Sequence, residues 1–258
     1  MATRLNHEGF MVSFDLLGEE VHDRDSAITA TDEYVECLDR IGTESLDANI
    51  SVKPTQLGLA IDESLAMGAV ERLGALALDH GTTVTIDMED SRYTEATVRL
   101  FEKGQAAHGN LGIALQAYLH RTPADLERVI PLGGHIRLCK GAYVEPDEVA
   151  HTAKHDVDDA FAGLLRRLMG AESTKPAVAT HDGAMIDLTR ELSKGRMGPF
   201  EFQMLYGVRP ELQRELVTEG YPMRIYLPFG SQWYPYLTRR LAERPANALF
   251  FARALVGR

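Results

Sequence analysis

The chain has 258 residues, of which 45% are hydrophobic and 25% are charged, so it is long enough to bury a sizeable core. Acidic residues outnumber basic ones by 38 to 27, and the formal charge of -11 argues against binding to nucleic acid. The two cysteines, Cys37 and Cys139, provide no disulfide framework or CxxC metal site. The sequence shows no signal peptide and no apolar run near the roughly 20 residues that span a bilayer. We therefore expect a cytoplasmic protein with at most peripheral membrane contact.

Eight short apolar segments recur about every 30 residues along the chain. In chain order they read MVSFDLLG, NISVKPTQLG, TTVTIDMED, LGIALQAYL, HIRLCKGAY, PAVATHD, FEFQMLYG and MRIYLPFG. Each is rich in β-branched or aromatic residues and is bounded by turn-forming residues, which is typical of a β-strand. The sequence therefore predicts eight strands.

Helical patterns with recognisable ends separate these strands. Asp62 precedes a helix that Gly81 closes, and Thr122 is expected to cap a helix with proline in its first position. Asp182 precedes another helix, and Pro210 starts a further one. The even alternation of strand and helix predicts an α/β fold of the (β/α)8 TIM-barrel type, as a single domain over residues 1–258. A doubly wound sheet is the alternative, but the strand count and even spacing favour a closed barrel.

Charged residues in three of the predicted strands are hard to explain as packing. Lys53, Asp87 and Arg137 occur among apolar residues, where burying a charge costs several kcal/mol unless it is paired or used. The structural alternative is an ion pair, for example between Lys53 and either Asp15 or Asp87. Barrel enzymes carry their chemistry at the carboxyl ends of the strands, where these side chains are expected.

A metal-dependent hydrolase is a further interpretation of the strand ends. His181, Asp182, Asp87 and Glu89 together are chemically suited to it, although His181 alone is better explained as a satisfied core histidine. The chain shows no HxH or HxxEH spacing. Cations that would repel a metal are expected at the same rim, and they suit an anionic ligand instead: Lys53, Arg137, Lys140, Arg239 and Arg240.

The segment YPYLTRRLAER after the last predicted strand places an aromatic ring and two arginines on one helical face. Tyr236, Arg239, Arg240 and Glu243 follow the spacing i, i+3, i+4 and i+7. One reading is a solvated face with an Arg–Glu pair. The other is a helix lying over the barrel mouth, where paired guanidiniums bind a small carboxylate. The residues alone thus predict a barrel enzyme for a small carboxylate and a larger, phosphate-bearing partner.

Eight segments together resemble the proline dehydrogenases, in their single-function bacterial form. They are SVKPTQLG, IDMEDS, LQAYLHRT, RLCKGAYVEP, ATHD, FEFQMLYGVRP, RIYLPFG and WYPYLTRRLAERPAN, and they match from about residue 10 to the C-terminus. The resemblance implies a distorted (β/α)8 barrel that holds FAD and oxidises L-proline to 1-pyrroline-5-carboxylate, the first step of proline breakdown to glutamate. It also implies electron transfer to a membrane quinone and a downstream pyrroline-5-carboxylate dehydrogenase. The helical segment that the family carries before strand one is expected to be largely absent.

The resemblance also implies roles for individual residues. The substrate-carboxylate clamp falls on Arg239, Arg240 and Lys53, and the walls around the proline ring fall on Leu205, Tyr226 and Tyr236. Asp87 is the acid that orders Lys53 and its neighbours, Arg137 lies at the reactive edge of the flavin, and Glu243 ties down the arginine helix. The FAD contacts fall on Met88, Gln116, Lys140, Gly141, Ala142, Thr180 and His181. A barrel that binds a small carboxylate without turnover remains the alternative.

Overall fold

The computed structural model describes residues 1–18 and 21–230. Eight parallel strands close into a barrel in chain order, so the predicted (β/α)8 fold is confirmed and the doubly wound alternative is wrong. The strands are β1 Met11–Leu16, β2 Ala48–Val52, β3 Val84–Ile86, β4 Leu111–Gln116, β5 Gly134–Cys139, β6 Thr174–Ala179, β7 Glu201–Leu205 and β8 Met223–Phe229. Each lies within or overlaps one of the eight predicted segments.

Helices alternate with the strands on the outside of the barrel. They are α1 Ala2–His7, α2 Arg24–Thr43, α3 Glu63–Asp79, α4 Thr94–His108, α5 Thr122–Val129, α6 Lys154–Met169, α7 Gly183–Ser193 and α8 Pro210–Thr218. The helix expected to follow β8 lies outside the described residues. Within the described ranges, no helix has the length and apolar character needed to cross a bilayer.

Three of the four predicted helix starts are confirmed, two of them by side-chain caps. The side chain of Asp62 accepts a hydrogen bond from the Ser64 amide at 2.9 Å, and Asp182 caps α7 through the Ala184 amide at 3.0 Å. The cap predicted at Thr122 is wrong, because α5 already includes that residue. Its hydroxyl donates to the Gln116 carbonyl at 2.5 Å, so it ties the helix to the end of β4 instead of satisfying the first helical amides.

The strands bury apolar side chains on one face and polar side chains on the other. Val12, Ile50 and Ile136 are fully buried and belong to the large core cluster, which also includes the inner faces of the helices. The alternate positions carry side chains such as Ser51 and Arg137, which bond to each other although β2 and β5 are not neighbours in the sheet. Such contacts can only cross the barrel axis. The barrel interior is therefore polar and ionic, where most barrels have stacked aliphatic layers.

Candidate active site at the carboxyl ends of the strands

Asp87 lies directly after β3 and receives hydrogen bonds from three other strands. Ser51 Oγ donates to Oδ1 at 2.7 Å, and the Tyr226 hydroxyl donates to Oδ2 at 2.7 Å. Arg137 Nη1 forms an ion pair with Oδ1. Only 9% of Asp87 is exposed, so these bonds form in a site with little access to water. A buried carboxylate that accepts hydrogen bonds from three donors is held in one position at the barrel mouth.

Arg137 is 5% exposed, and its guanidinium lies across the barrel axis. Its Nε donates to Gln203 Oε1 at 2.6 Å, and its Nη1 donates to Ser51 Oγ at 2.9 Å as well as to Asp87. The Tyr226 ring lies beneath the guanidinium, with the central carbon 5.1 Å from the ring centroid. Nη2 is buried and has no hydrogen-bond partner among the described residues. A buried donor without a partner costs about 1–3 kcal/mol, which a bound acceptor would recover.

Lys53 follows β2 and forms a buried ion pair with Asp15 at the end of β1. The sequence left Asp15 and Asp87 open as partners, and the structure gives Asp15 this ion pair, while Asp87 binds the group around Arg137. Burial raises the pKa of Asp15 above its ordinary value, and the charge of Lys53 opposes that rise. Burial, together with Asp15 and Asp87, also raises the pKa of Tyr226 well above its ordinary value, so its hydroxyl stays a hydrogen-bond donor.

Two loops expected to contact FAD are joined through Gln116 at the end of β4. Its Nε2 donates to the Glu89 carbonyl at 2.7 Å, and its Oε1 accepts from the Ala142 amide at 3.2 Å. Gly141, which directly precedes Ala142, has a φ of +128°, and a Cβ there would lie 2.3 Å from the Tyr118 ring. Only glycine fits such a position, so the backbone comes close to its surroundings here. Met88, which directly precedes Glu89, is buried.

Lys140 pairs with two carboxylates and does not stand alone as a phosphate-binding cation. Its Nζ forms an ion pair with Asp158 of α6 and donates to Asp182 Oδ2 at 2.7 Å. The hydrogen bond from Lys140 is the main reason that the pKa of each carboxyl is lowered. Lys154 also pairs with Asp158, so two cations and two anions balance each other at this point. The lysine thus anchors the loop after β5 to the starts of α6 and α7.

His181 links the loop after β6 to the end of β7, and Thr180 stabilises the turn that leads into α7. Thr180 Oγ1 accepts from the Asp182 amide at 3.1 Å, and His181 Nε2 accepts from the Leu205 amide at 3.1 Å. Arg209 donates to the His181 carbonyl at 2.6 Å. Within residues 1–18 and 21–230, no group of three or more histidine, cysteine, aspartate or glutamate side chains is arranged to hold a metal ion. The structure therefore does not gather the acidic and histidine residues of the metal-hydrolase interpretation into one site.

Four of the residues implied by the resemblance lie outside the described residues. They are Tyr236, Arg239, Arg240 and Glu243. The described part of the barrel brings together Lys53, Asp87, Arg137 and Tyr226 through contacts with one another or with common neighbours. It places the residues around Gln116 and Lys140 on the adjoining loops.

A second ionic group, below Arg137 in the barrel, was not anticipated from the sequence. Glu201 is fully buried, with Arg224 Nε at 2.7 Å and His135 Nε2 at 3.2 Å. Burial acts to raise the pKa of Glu201, but Arg224 and His135 outweigh it and hold that pKa well below its ordinary value. Burial lowers the pKa of His135. The signal was present in FEFQML and MRIYL, where polar residues alternate with apolar ones at the period of a strand.

The comparisons with known proteins agree with this geometry. The family model described as "Proline dehydrogenase" matches residues 1–253. "Proline dehydrogenase 2" of Bacillus subtilis is 41% identical over 251 residues, covering 96% of this chain and 82% of that protein. "Proline dehydrogenase" of Deinococcus radiodurans is 34% identical over 261 residues, covering 98% of this chain and 84% of that protein.

Solved structures show the same fold. The crystal structure of proline utilization A (PutA) from Bdellovibrio bacteriovorus, inactivated by N-propargylglycine, aligns with a TM-score of 0.88 over 98% of this chain at 22% identity. A Bradyrhizobium japonicum PutA mutant aligns with a TM-score of 0.81 over 90% of this chain at 25% identity. The chain spans 32% and 28% of the lengths of those two chains. Because the family model matches nearly the whole length of the chain, the chain belongs to the proline dehydrogenase family.

Proposed function

We propose that this chain is an FAD-dependent proline dehydrogenase, which oxidises L-proline to 1-pyrroline-5-carboxylate in the first step of proline catabolism to glutamate. The observation that supports it most is the buried group of Asp87, Arg137 and Tyr226 at the carboxyl ends of the strands, with Arg137 Nη2 unpartnered among the described residues. A cation held rigidly in a dry site can stabilise charge that develops on a bound molecule.

The residues around this group fit FAD. Gly141 lets the backbone come close, the amide of Gln116 fixes the loop that carries Ala142, and Arg137 Nη2 is a buried donor without a partner in the described ranges. The cofactor would be held by Met88, Gln116, Arg137, Lys140, Gly141, Ala142, Thr180 and His181. When bound, the flavin supplies at N5 the acceptor for the hydride that leaves C5 of proline.

The protein's own residues would bind and orient the substrate. Lys53, kept in place by its ion pair with Asp15, lies beside the group that contains Tyr226 and is suited to a carboxylate. Leu205, at the end of β7, would form an apolar wall together with Tyr226. The proline nitrogen must be unprotonated for its electrons to assist the oxidation. Holding the reacting carbon in one position is then the main contribution of the site.

The remaining parts of the clamp are proposed for residues outside the described ranges. Arg239 and Arg240 would bind the carboxylate together with Lys53, Tyr236 would complete the wall, and Glu243 would pair with the arginine helix. Two arginines can each make a bidentate contact with a carboxylate, which fixes its orientation as well as its charge.

The partners in the pathway follow from the same proposal. Electrons would pass from the reduced cofactor to a quinone, which requires peripheral contact of a cytoplasmic protein with the inner face of the membrane. The product would pass to a downstream pyrroline-5-carboxylate dehydrogenase, and residues 1–258 would act as a single domain. The curated relatives include "Bifunctional protein PutA" of Escherichia coli, 27% identical over 307 residues and matched over 23% of its length.

The visible absorbance spectrum of the purified protein, before and after anaerobic addition of L-proline, tests the proposed function. We expect a flavin spectrum that bleaches with L-proline and stays oxidised with D-proline. Arg137→Lys should slow the bleaching by about 100-fold, as the loss of a preorganised charge contact typically does. The matched control is Arg167→Lys, since Arg167 pairs with Glu127 on the outer surface at 2.6 Å.

Two outcomes would contradict the proposal. A colourless protein that FAD cannot reconstitute would favour a barrel that binds a small carboxylate without turnover. A bound flavin that L-proline never reduces would retain the cofactor and refute the substrate. Equal bleaching rates in Arg137→Lys and Arg167→Lys would mean that Arg137 does not contribute to the reaction.

A further inference from the structure

A row of hydrogen-bonded side chains leads from Arg137 towards the amino-terminal end of the barrel. Gln203 on β7 is 3% exposed and accepts a hydrogen bond from Arg137 Nε at 2.6 Å. Its Nε2 donates to Glu201 Oε1 at 2.7 Å. Both residues face the barrel axis, because they are two positions apart on one strand. The amide of Gln203 is thus placed between a cation and an anion.

Glu201 determines which way this amide points. An ionised carboxylate only accepts hydrogen bonds, so the NH2 end of Gln203 must face Glu201 and the oxygen end must face Arg137. Glu201 is itself held by Arg224, whose Nε and Nη2 lie 2.7 Å and 3.2 Å from its two oxygens. Lys175 Nζ lies 3.3 Å from Glu201 as well. With its pKa held well below the ordinary value, Glu201 is an anion at neutral pH and the orientation of the amide persists.

The contact with Gln203 sets the direction in which Arg137 points. A guanidinium is planar, so anchoring two of its three nitrogens fixes the third. Nε is anchored by Gln203, and Nη1 is anchored by Ser51 and Asp87. Without Gln203, the group could turn about its contacts with Asp87. The N–H bonds of Nη2, which has no partner in the described part of the chain, would then no longer point in one fixed direction.

We propose that Gln203, oriented by Glu201, is the positioning residue that aims Arg137 Nη2 at the bound cofactor and substrate. The target of Nη2 rests on the proposed function, whereas the anchoring of Arg137 is a property of the protein itself. Gln203 touches neither the substrate nor the cofactor in this proposal. It acts through the geometry of Arg137.

The anchoring is tested in the full-length protein without added cofactor, by NMR of ¹⁵N-arginine-labelled samples. The Nε–H signal of Arg137 is assigned by its loss in Arg137→Lys, and its hydrogen exchange is measured in Gln203→Met. We expect exchange to be about tenfold faster or more, which corresponds to about 1.4 kcal/mol for one lost hydrogen bond.

The matched control is Gln105→Met on α4. Gln105 is also buried, and its Oε1 accepts from the Leu111 amide at 2.8 Å, at the opposite end of the barrel strands. This variant should lose a comparable amount of stability and leave the Arg137 exchange rate unchanged. Equal exchange in wild type and Gln203→Met would overturn the proposal, and so would an equal change in Gln105→Met. Should Gln203→Met not fold, Gln203→Asn, whose shorter amide cannot reach as far, replaces it with the same expected result.

The functional part is tested on protein loaded with FAD, by stopped-flow reduction with L-proline. For Gln203→Met we expect the limiting rate to fall about tenfold while the apparent affinity for proline stays within about twofold, since the residue aims Arg137 and binds no substrate. A change in affinity alone would refute the aiming role. Wild-type protein that neither binds FAD nor reacts would refute the proposed function, and the NMR result would still decide the anchoring.

Discussion

The hydrogen bond between Tyr226 and Asp87 provides a direct test of the candidate site, through the variant Tyr226→Phe. The substitution removes one hydroxyl and keeps the ring that lies 5.1 Å from the Arg137 guanidinium. The lost bond is 2.7 Å long and ends on a buried carboxylate. Hydrogen bonds to charged groups contribute about 1.5–3 kcal/mol. Asp87 keeps its contacts with Ser51 and Arg137, so we expect destabilisation near the lower end, about 2 kcal/mol.

Urea denaturation followed by circular dichroism measures this change. With a slope of about 3 kcal/mol per molar urea, a loss of 2 kcal/mol lowers the midpoint by about 0.7 M. The control is Tyr221→Phe, where the ring packs against Phe202 with centroids 5.4 Å apart and the hydroxyl makes no hydrogen bond within the described residues. We expect the control to change stability by less than about 0.5 kcal/mol.

Two results would refute the reasoning about Tyr226. A loss no larger than that of the control would mean that the bond to Asp87 contributes nothing net. A gain in stability would mean that the hydroxyl is held there under strain, as happens at some functional sites. Either result would require another account of how Asp87 is fixed in the barrel.

Two further predictions concern pH and the loop after β5. Burial lowers the folded-state pKa of His135 below its ordinary 6.5, so the unfolded chain binds the proton first. Stability should therefore fall as pH drops below 6.5, by up to about 1.4 kcal/mol per unit, and His135→Asn should flatten that slope in urea titrations. Gly141→Ala should cost about 1–3 kcal/mol and weaken FAD binding in fluorescence titrations, because of its positive φ and the Tyr118 ring. Gly163→Ala in α6, with open space around it, should be neutral or stabilising, and equal losses would contradict the argument.

Local patterns explain why the fold could be predicted. Alternating or continuous apolar runs identify strands without knowledge of their neighbours, and Asp62 and Asp182 cap helices through amides only two residues away. The charged residues within the predicted strands could be identified from the sequence for the same reason. Lys53 and Arg137 stand among apolar residues, and a buried charge requires a partner or a function wherever the strand is placed.

The side chains that contact these charged residues could not be predicted, because the contacts depend on how the strands close into a barrel. Arg137 meets Asp87, which is 50 residues away in sequence, and Gln203, which is 66 residues away. Lys140 was predicted as one of the cations that suit an anionic ligand, and only the packing of α6 and α7 brings Asp158 and Asp182 to it.

The sequence by itself thus determined the barrel, the family and the strand ends where charged residues gather, since each depends on residues close together in the chain. Only the tertiary structure decided that Asp15 forms the ion pair with Lys53, and that Glu201 orients Gln203 beneath Arg137. The physical reason is that side chains on non-adjacent strands meet only across the axis of a closed barrel. Which of them meet is set by the stagger of the strands, a property that no single segment carries.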